Sequence, residues 1–207
     1  NALFVAENRK FIHHPVTGYP FIIKTLLPNY REFDDSRHFF DLRKYALENS
    51  ATLEELVIPI KTSVGLLGCV LCEDAWDSDY AVAPLKILAG HNPLPDIFVN
   101  ISSSPFTANK NHKRNRVFSS HAQKLQRPFV YVNNTGIQDN GKTVFTFDGE
   151  SCIYDTHGHN VECCRPFEEC SFSFDIPMDH NKSFGRPVNL DDDGIDMLYK
   201  AVSYGAA

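Results

Sequence analysis

The sequence lacks any apolar stretch near the roughly 18 to 20 residues that a bilayer-spanning helix needs. It also lacks an excess of positive charge. Its 20 Lys+Arg stand against 26 Asp+Glu, a net charge of -6, so nothing electrostatic draws it to nucleic acid or an anionic membrane. Cysteine is sparse: six in 207 residues are too few for a disulfide scaffold, and the chain reads as cytoplasmic with reduced thiols. Asn-X-Ser/Thr triplets at Asn100, Asn133 and Asn181 are the sole hint of secretion, and Asn100 sits in DIFVNIS, a strand setting and not a glycan loop. NALFVAENRK carries neither an initiator Met nor a basic-then-apolar signal, and begins as though inside a strand, so upstream sequence is expected. No internal repeat or low-complexity tract is visible.

What is present is the material of one sizeable core. At 207 residues and 43% hydrophobic, the chain needs no staples. Short apolar runs bounded by turn signals predict strands at FIIKTLL, ELVIPI, VGLLGCVLC, DIFVNIS, PFVYVN, TVFTFD and SCIYD. Helical spacing predicts helices over Asp79 to Gly90 and Lys110 to Gln126, the second with Val117, Phe118 and Leu125 inward. The alternation implies a layered α/β domain. Beyond Asn133 the pattern turns to hairpins, with turns at QDNGK and DTHGHN. CCRPFEECSFSFD suggests one more strand, and DDDGIDMLYKAVSYGAA a helix with an acidic first turn.

Candidate chemistry begins at VGLLGCVLCEDAW, an apolar run closed by Cys72, Glu73 and Asp74. A strand that ends in a thiol and turns toward a helix can display a nucleophile, with turn N–H groups facing an oxyanion. A buried strand cysteine is the plainer reading. Cys69-x-x-Cys72 has no second pair at zinc-ribbon distance. His157, His159, Cys163, Cys164 and Cys170 read as a Gly-containing hairpin with incidental thiols before they read as a metal site. NLDDDGID fails as a calcium loop because Lys200 falls where a bidentate Glu is required. KNHKRNR reads as a solvated helix face.

Five segments in order change the weight of Cys72. They are Lys24-Thr-Leu-Leu-Pro-Asn-Tyr30, Cys72-Glu-Asp-Ala-Trp76, the Ser102–Phe106 stretch SSSPF, YVNN from Tyr131, and FDGES from Phe147. Together they resemble the carbon–nitrogen hydrolase (nitrilase) superfamily and, within it, the glutaminase domains of glutamine-dependent NAD synthetases. The resemblance implies a four-layer αββα sandwich lacking its N-terminal strand–helix unit. It implies a glutaminase domain over 1–188, with 189–207 starting a helix toward an absent synthetase domain, and a homo-oligomer.

By that resemblance Cys72 matches the nucleophile that attacks the amide of L-glutamine, and Lys24 matches the lysine that stabilises the oxyanion. Tyr30, Glu73, Trp76, Ser104 and Lys110 match positions lining the glutamine pocket. Glu73 suits the α-ammonium group and Lys110 the α-carboxylate. The glutaminase step needs no cofactor. ATP and magnesium are expected only in the absent domain, where ammonia would amidate nicotinic acid adenine dinucleotide. The family's general-base Glu lies upstream of the lysine segment, and Glu7 does not match it. A stand-alone amidase on another small amide, a secreted amidase, and a non-catalytic scaffold are the alternatives.

Overall fold

The computed structural model describes residues 1–30, 33–141, 143–179, 184–188 and 194–206. The sequon at Asn181, the domain boundary expected at 188/189 and the acidic run at 191–193 therefore involve residues outside those described. The chain forms two compact units, Asn1–Ile101 and Ser102–Ala207. No helix among the described residues is long and apolar enough to cross a membrane.

In the first unit, β1 (Ala2–Leu3) pairs with β4 (Ile22–Ile23), and β2 (Ala6–Glu7) pairs with β3 (Lys10–Phe11), both antiparallel. Three short helices follow: α1 (Asp35–His38), α2 (Leu42–Glu48) and α3 (Leu53–Leu56). Asp41 caps α2 by accepting the Lys44 N–H at 2.9 Å, and Thr52 with Glu55 forms a reciprocal capping box on α3. Then β5 (Ile60–Thr62) runs antiparallel to β6 (Gly65–Leu71), and β6 runs parallel to β7 (Ile97–Ser102), with α4 (Pro84–Ala89) in the crossover. Leu26, Leu56, Val70, Leu88 and Phe98 are fully buried. At Gly68 an added Cβ would lie 2.7 Å from the Phe98 ring, so the missing side chain lets that ring close over β6.

Three expectations need correction here. FIIKTLL keeps only Ile22–Ile23 in a ladder, because the Thr25 and Leu26 amides bond to the Asp74 carboxylate instead. ELVIPI splits into α3 and β5: the capping box starts a helical turn, and Pro59 offers no amide to a ladder. The helix expected over Asp79–Gly90 is confined to α4, where Pro84 occupies the first turn with its fixed φ.

In the second unit, α5 (Lys110–Leu125) covers β8 (Phe129–Asn133). A hairpin joins β9 (Thr135–Asp139) to β10 (Val144–Asp148), and β11 (Cys152–Tyr154) lies antiparallel between β8 and β12 (Asn160–Cys163). The helix α6 (Gly194–Ala206) ends the unit. Phe118 of α5 is fully buried, its ring centroid 4.5 Å from Tyr131 and 5.2 Å from Phe129. Gly158 turns the β11–β12 hairpin with φ +82°, where a Cβ would meet the Ser119 carbonyl oxygen at 2.6 Å. Both the hairpins and α5 match the sequence pattern.

Three further expectations need correction in this unit. The strand suggested in CCRPFEECSFSFD is absent beyond Cys163, apart from an isolated bridge between Gly149 and Pro166. Cys164 and Cys170 form a disulfide instead, with Cα atoms 5.9 Å apart, and Phe167 turns the loop between them at φ 62°. Reduced thiols are thus corrected at one pair: Cys69, Cys72, Cys152 and Cys163 are the free ones. The KNHKRNR segment is only partly a solvated face, because Asn111 and Arg114 turn inward and Arg114 is wholly buried.

Candidate active site

Cys72 stands immediately beyond β6, at the start of a 3-10 turn spanning Cys72–Ala75. Its φ is +43°, in the left-handed region that a residue with a Cβ adopts at a cost of about 1–2 kcal/mol. Neighbouring side chains hold that strain in place. Asn100 on β7, fully buried, donates its Nδ2 to the Cys72 carbonyl at 3.1 Å. Asp74 accepts the Leu71 N–H at 3.1 Å, so the turn is pinned on both sides of the thiol. The side chain of Cys72 remains half-buried, while Cys69, three residues earlier, faces the core beside Leu3 and Leu71. Burial pushes the Cys69 thiol up to about 12, which makes it inert at neutral pH.

Asp74 also accepts the backbone N–H groups of Thr25 at 3.1 Å and Leu26 at 2.6 Å. One carboxylate thereby fastens the segment carrying Lys24 to the turn carrying Cys72. Burial pushes its pKa up to about 7, against the lowering influence of the Leu26 and Leu71 donors, the Lys24 charge and the Thr25 donor. Lys24 is not the snorkelling lysine that composition alone suggests: it is 5% exposed, and its Nζ meets Asp35 Oδ2 at 3.2 Å. Glu73 is buried, and its carboxylate accepts hydroxyls from Tyr30 at 3.0 Å and Tyr80 at 2.8 Å. Burial and the Glu73 charge raise both tyrosines, so both stay protonated donors. Trp76 closes the turn, its N–H donating to the Glu73 carbonyl at 2.8 Å. Glu7 lies apart from this chemistry in bonding terms, its carboxylate accepting from the N–H and Oγ of Ser63.

Five of the seven expected residues thus fall in the first unit, and Ser104 and Lys110 in the second. Ser104 is buried and exchanges two bonds with Asn133, its N–H donating to Oδ1 at 2.8 Å and its carbonyl accepting from Nδ2 at 3.1 Å. Lys110 opens α5 and donates Nζ to the Pro105 carbonyl at 2.9 Å. Asn133 also donates to Asp148, which pairs with Arg114 at 3.0 Å, and Arg114 reaches Glu150 at 3.3 Å. Asn100 and Asn133, both sequon asparagines, are buried on strands. His157 and His159 are more than half exposed in their side chains, and no group of metal-ligating residues forms among the described residues.

Sequence reasoning missed Asp35, Asp74, Tyr80 and Asn100. Asp74 alone had a signal, since an acid three residues after the last residue of β6 can reach back to that residue's N–H.

No family model matches the chain. The fold is nonetheless that of the carbon–nitrogen hydrolases: a solved hydrolase of that name from Helicobacter pylori superposes with a TM-score of 0.54 at 24% identity, over 70% of this chain and 48% of its own. Within that class, the chain is related to glutamine-dependent NAD synthetases. The enzyme of that name from Thermotoga maritima is 29% identical over 158 residues, 76% of this chain, and that from Aquifex aeolicus is 30% identical over 70% of this chain. The solved synthetase from Acinetobacter baumannii, bound to ADP, superposes with a TM-score of 0.54 at 26% identity, covering 71% of this chain and 24% of its own. The chain spans about a quarter of the length of these curated relatives.

Proposed function

We propose that the chain is the glutamine-hydrolysing part of an NAD synthetase-like enzyme, with Cys72 as nucleophile. The observation that carries this reading is the strained, doubly pinned turn that sets a half-buried thiol at the end of β6, tied through Asp74 to the Lys24 segment. Cys72 Sγ attacks the amide carbonyl of glutamine, and the Lys24 ammonium with the N–H after Cys72 stabilises the oxyanion. The C–N bond breaks, ammonia leaves, and water hydrolyses the thioester to glutamate and free thiol. Asp35 is the carboxylate paired with Lys24, and it holds the ammonium in place. Glu73, held by two tyrosine hydroxyls, keeps lone pairs for the substrate α-ammonium group, and Trp76 and Tyr30 flank it.

Ser104 and Lys110 enter the glutamine site by resemblance alone. So do the four-layer αββα arrangement, a missing N-terminal strand–helix unit, a homo-oligomer, a cytoplasmic setting and transfer of ammonia to a synthetase domain. Hydrolysis in this scheme uses no cofactor; ATP and magnesium belong to the amidation of nicotinic acid adenine dinucleotide elsewhere.

The test is intact-mass analysis after exposure to a glutamine-mimicking diazo ketone, with circular dichroism to establish folding. The native sequence should take one adduct, blocked by excess L-glutamine, and Cys72→Ala should take none. An adduct that survives Cys72→Ala, or a folded native chain that takes no adduct, overturns the reading. Protection by another small amide but not by glutamine would replace it with a stand-alone amidase.

A further inference from the structure

The second unit carries a pair of thiols that glutamine hydrolysis does not use. Cys152 on β11 and Cys163 on β12 are directly opposite in an antiparallel ladder. Residues paired this way have Cα atoms about 4.5–5.5 Å apart and project from the same face of the sheet. That separation lies inside the roughly 4.4–6.8 Å a disulfide spans. Both thiols are free; Cys152 Sγ donates to the Tyr154 hydroxyl and Cys163 Sγ to the Cys164 carbonyl, each at 3.3 Å. The two differ in access, since Cys152 is sealed in the core and Cys163 is half-buried.

The surroundings set the direction of reaction. The neighbouring Cys152 and the Arg114 charge pull the Cys163 thiol below its ordinary range, against the burial and Glu162 charge that raise it. Burial drives Cys152 upward. The reachable sulfur is therefore the better attacking group, and the sealed one stands behind it as the resolving thiol. Cys164, the next residue, is committed to Cys170, which separates the two neighbouring sulfurs into different partnerships.

We propose that Cys152 and Cys163 are a dithiol site for small-molecule disulfides, closing to a cross-strand disulfide that locks the β11–β12 hairpin. The Cys163 thiolate attacks one sulfur of oxidised glutathione, forming a mixed disulfide and expelling one glutathione thiolate. Cys152 then attacks the Cys163 sulfur, expelling the second glutathione and surrendering its proton. Net, two protein thiols and one glutathione disulfide give one protein disulfide and two glutathione thiols. The site stands independently of the glutaminase reading.

The test incubates the full chain and its Cys72→Ala variant with oxidised glutathione, alkylates the remaining thiols, and maps non-reduced peptides by mass spectrometry. A Cys164→Ser/Cys170→Ser variant removes the neighbouring bridge, so that only the proposed pair can close in this hairpin. The expected result is a peptide carrying Cys152 linked to one carrying Cys163 in all three proteins, with both sulfurs lost together to alkylation. In Cys163→Ser, Cys152 should stay fully alkylatable after unfolding. A stable glutathione adduct on Cys163 with Cys152 free overturns the proposal, as does exchange that moves the bridge to Cys163–Cys170, or no change at either thiol in folded protein.

Discussion

Each unit holds a cluster of buried charges, and the two clusters are built to opposite ends. In the second unit the charged groups bond one another: Arg114 bonds Asp148 and Glu150, Asn111 bonds Glu150, and Asn133 bonds Asp148. Such a network fixes α5 against β10. In the first unit the acids are turned to backbone and hydroxyl donors. Asp74 takes three N–H groups and Glu73 two phenols, and the strain gathers at Cys72. Charge burial alone therefore does not mark a site. What marks it is strain maintained beside a reactive atom.

The largest expected effect separates the two clusters by activity. Cys72→Ala should lower glutamate release from glutamine by about 10⁴-fold or more, while Arg114→Met should alter it only through loss of folded protein. The next separates them by stability. Arg114→Met leaves Asp148 and Glu150 buried without their cation and should cost about 3–5 kcal/mol in urea unfolding. Lys24→Met should cost under about 2 kcal/mol, because the Asp35 side chain is 21% exposed and water can take over. Equal costs would erase the distinction between the buried Arg114 network and the Lys24–Asp35 pair.

A third difference appears with pH. Burial, then the Asp148 charge, push the Glu150 carboxyl up to about 8, against the Arg114 charge. Its folded pKa exceeds the unfolded value near 4.5, so the stability tied to its proton is complete below pH about 4.5 and is lost as pH rises through about 8. Glu150→Gln should flatten that fall, by at most about 1.4 kcal/mol per pH unit at its steepest. Unfolding midpoints at a series of pH values measure it, and an unchanged slope would mean that Glu150 is ionised throughout.

Pattern made the regular parts legible: the β6 run, α5, both hairpins and the burial of Asn100 follow from periodicity and turn residues. Long-range pairing was not legible. Nothing local says that Asp74 takes the Thr25 and Leu26 amides, a bond across 49 and 48 positions that shortens the expected strand at FIIKTLL. Arg114 looked like one cation among several because its carboxylate partners lie 34 and 36 residues away. The same holds for Asp35, whose partner Lys24 lies 11 residues earlier. The motifs that resemble the glutaminase domains single out Cys72 and Lys24, but not the groups that bond to their segments.

The smallest effect tests the strain itself. At φ +43° an alanine keeps the Cβ that makes the left-handed turn costly, and a glycine does not. Both substitutions remove the thiol, so both should be inactive. Cys72→Gly should nevertheless be more stable than Cys72→Ala, by about 1 kcal/mol in urea unfolding, less the extra freedom glycine has in the unfolded chain. The corresponding pair at Ser151, a residue without positive φ, should favour alanine. If glycine gains nothing at position 72, the turn stores no strain, and the residue 72 side chain is displayed by the hydrogen bonds of Asn100 and Asp74 alone.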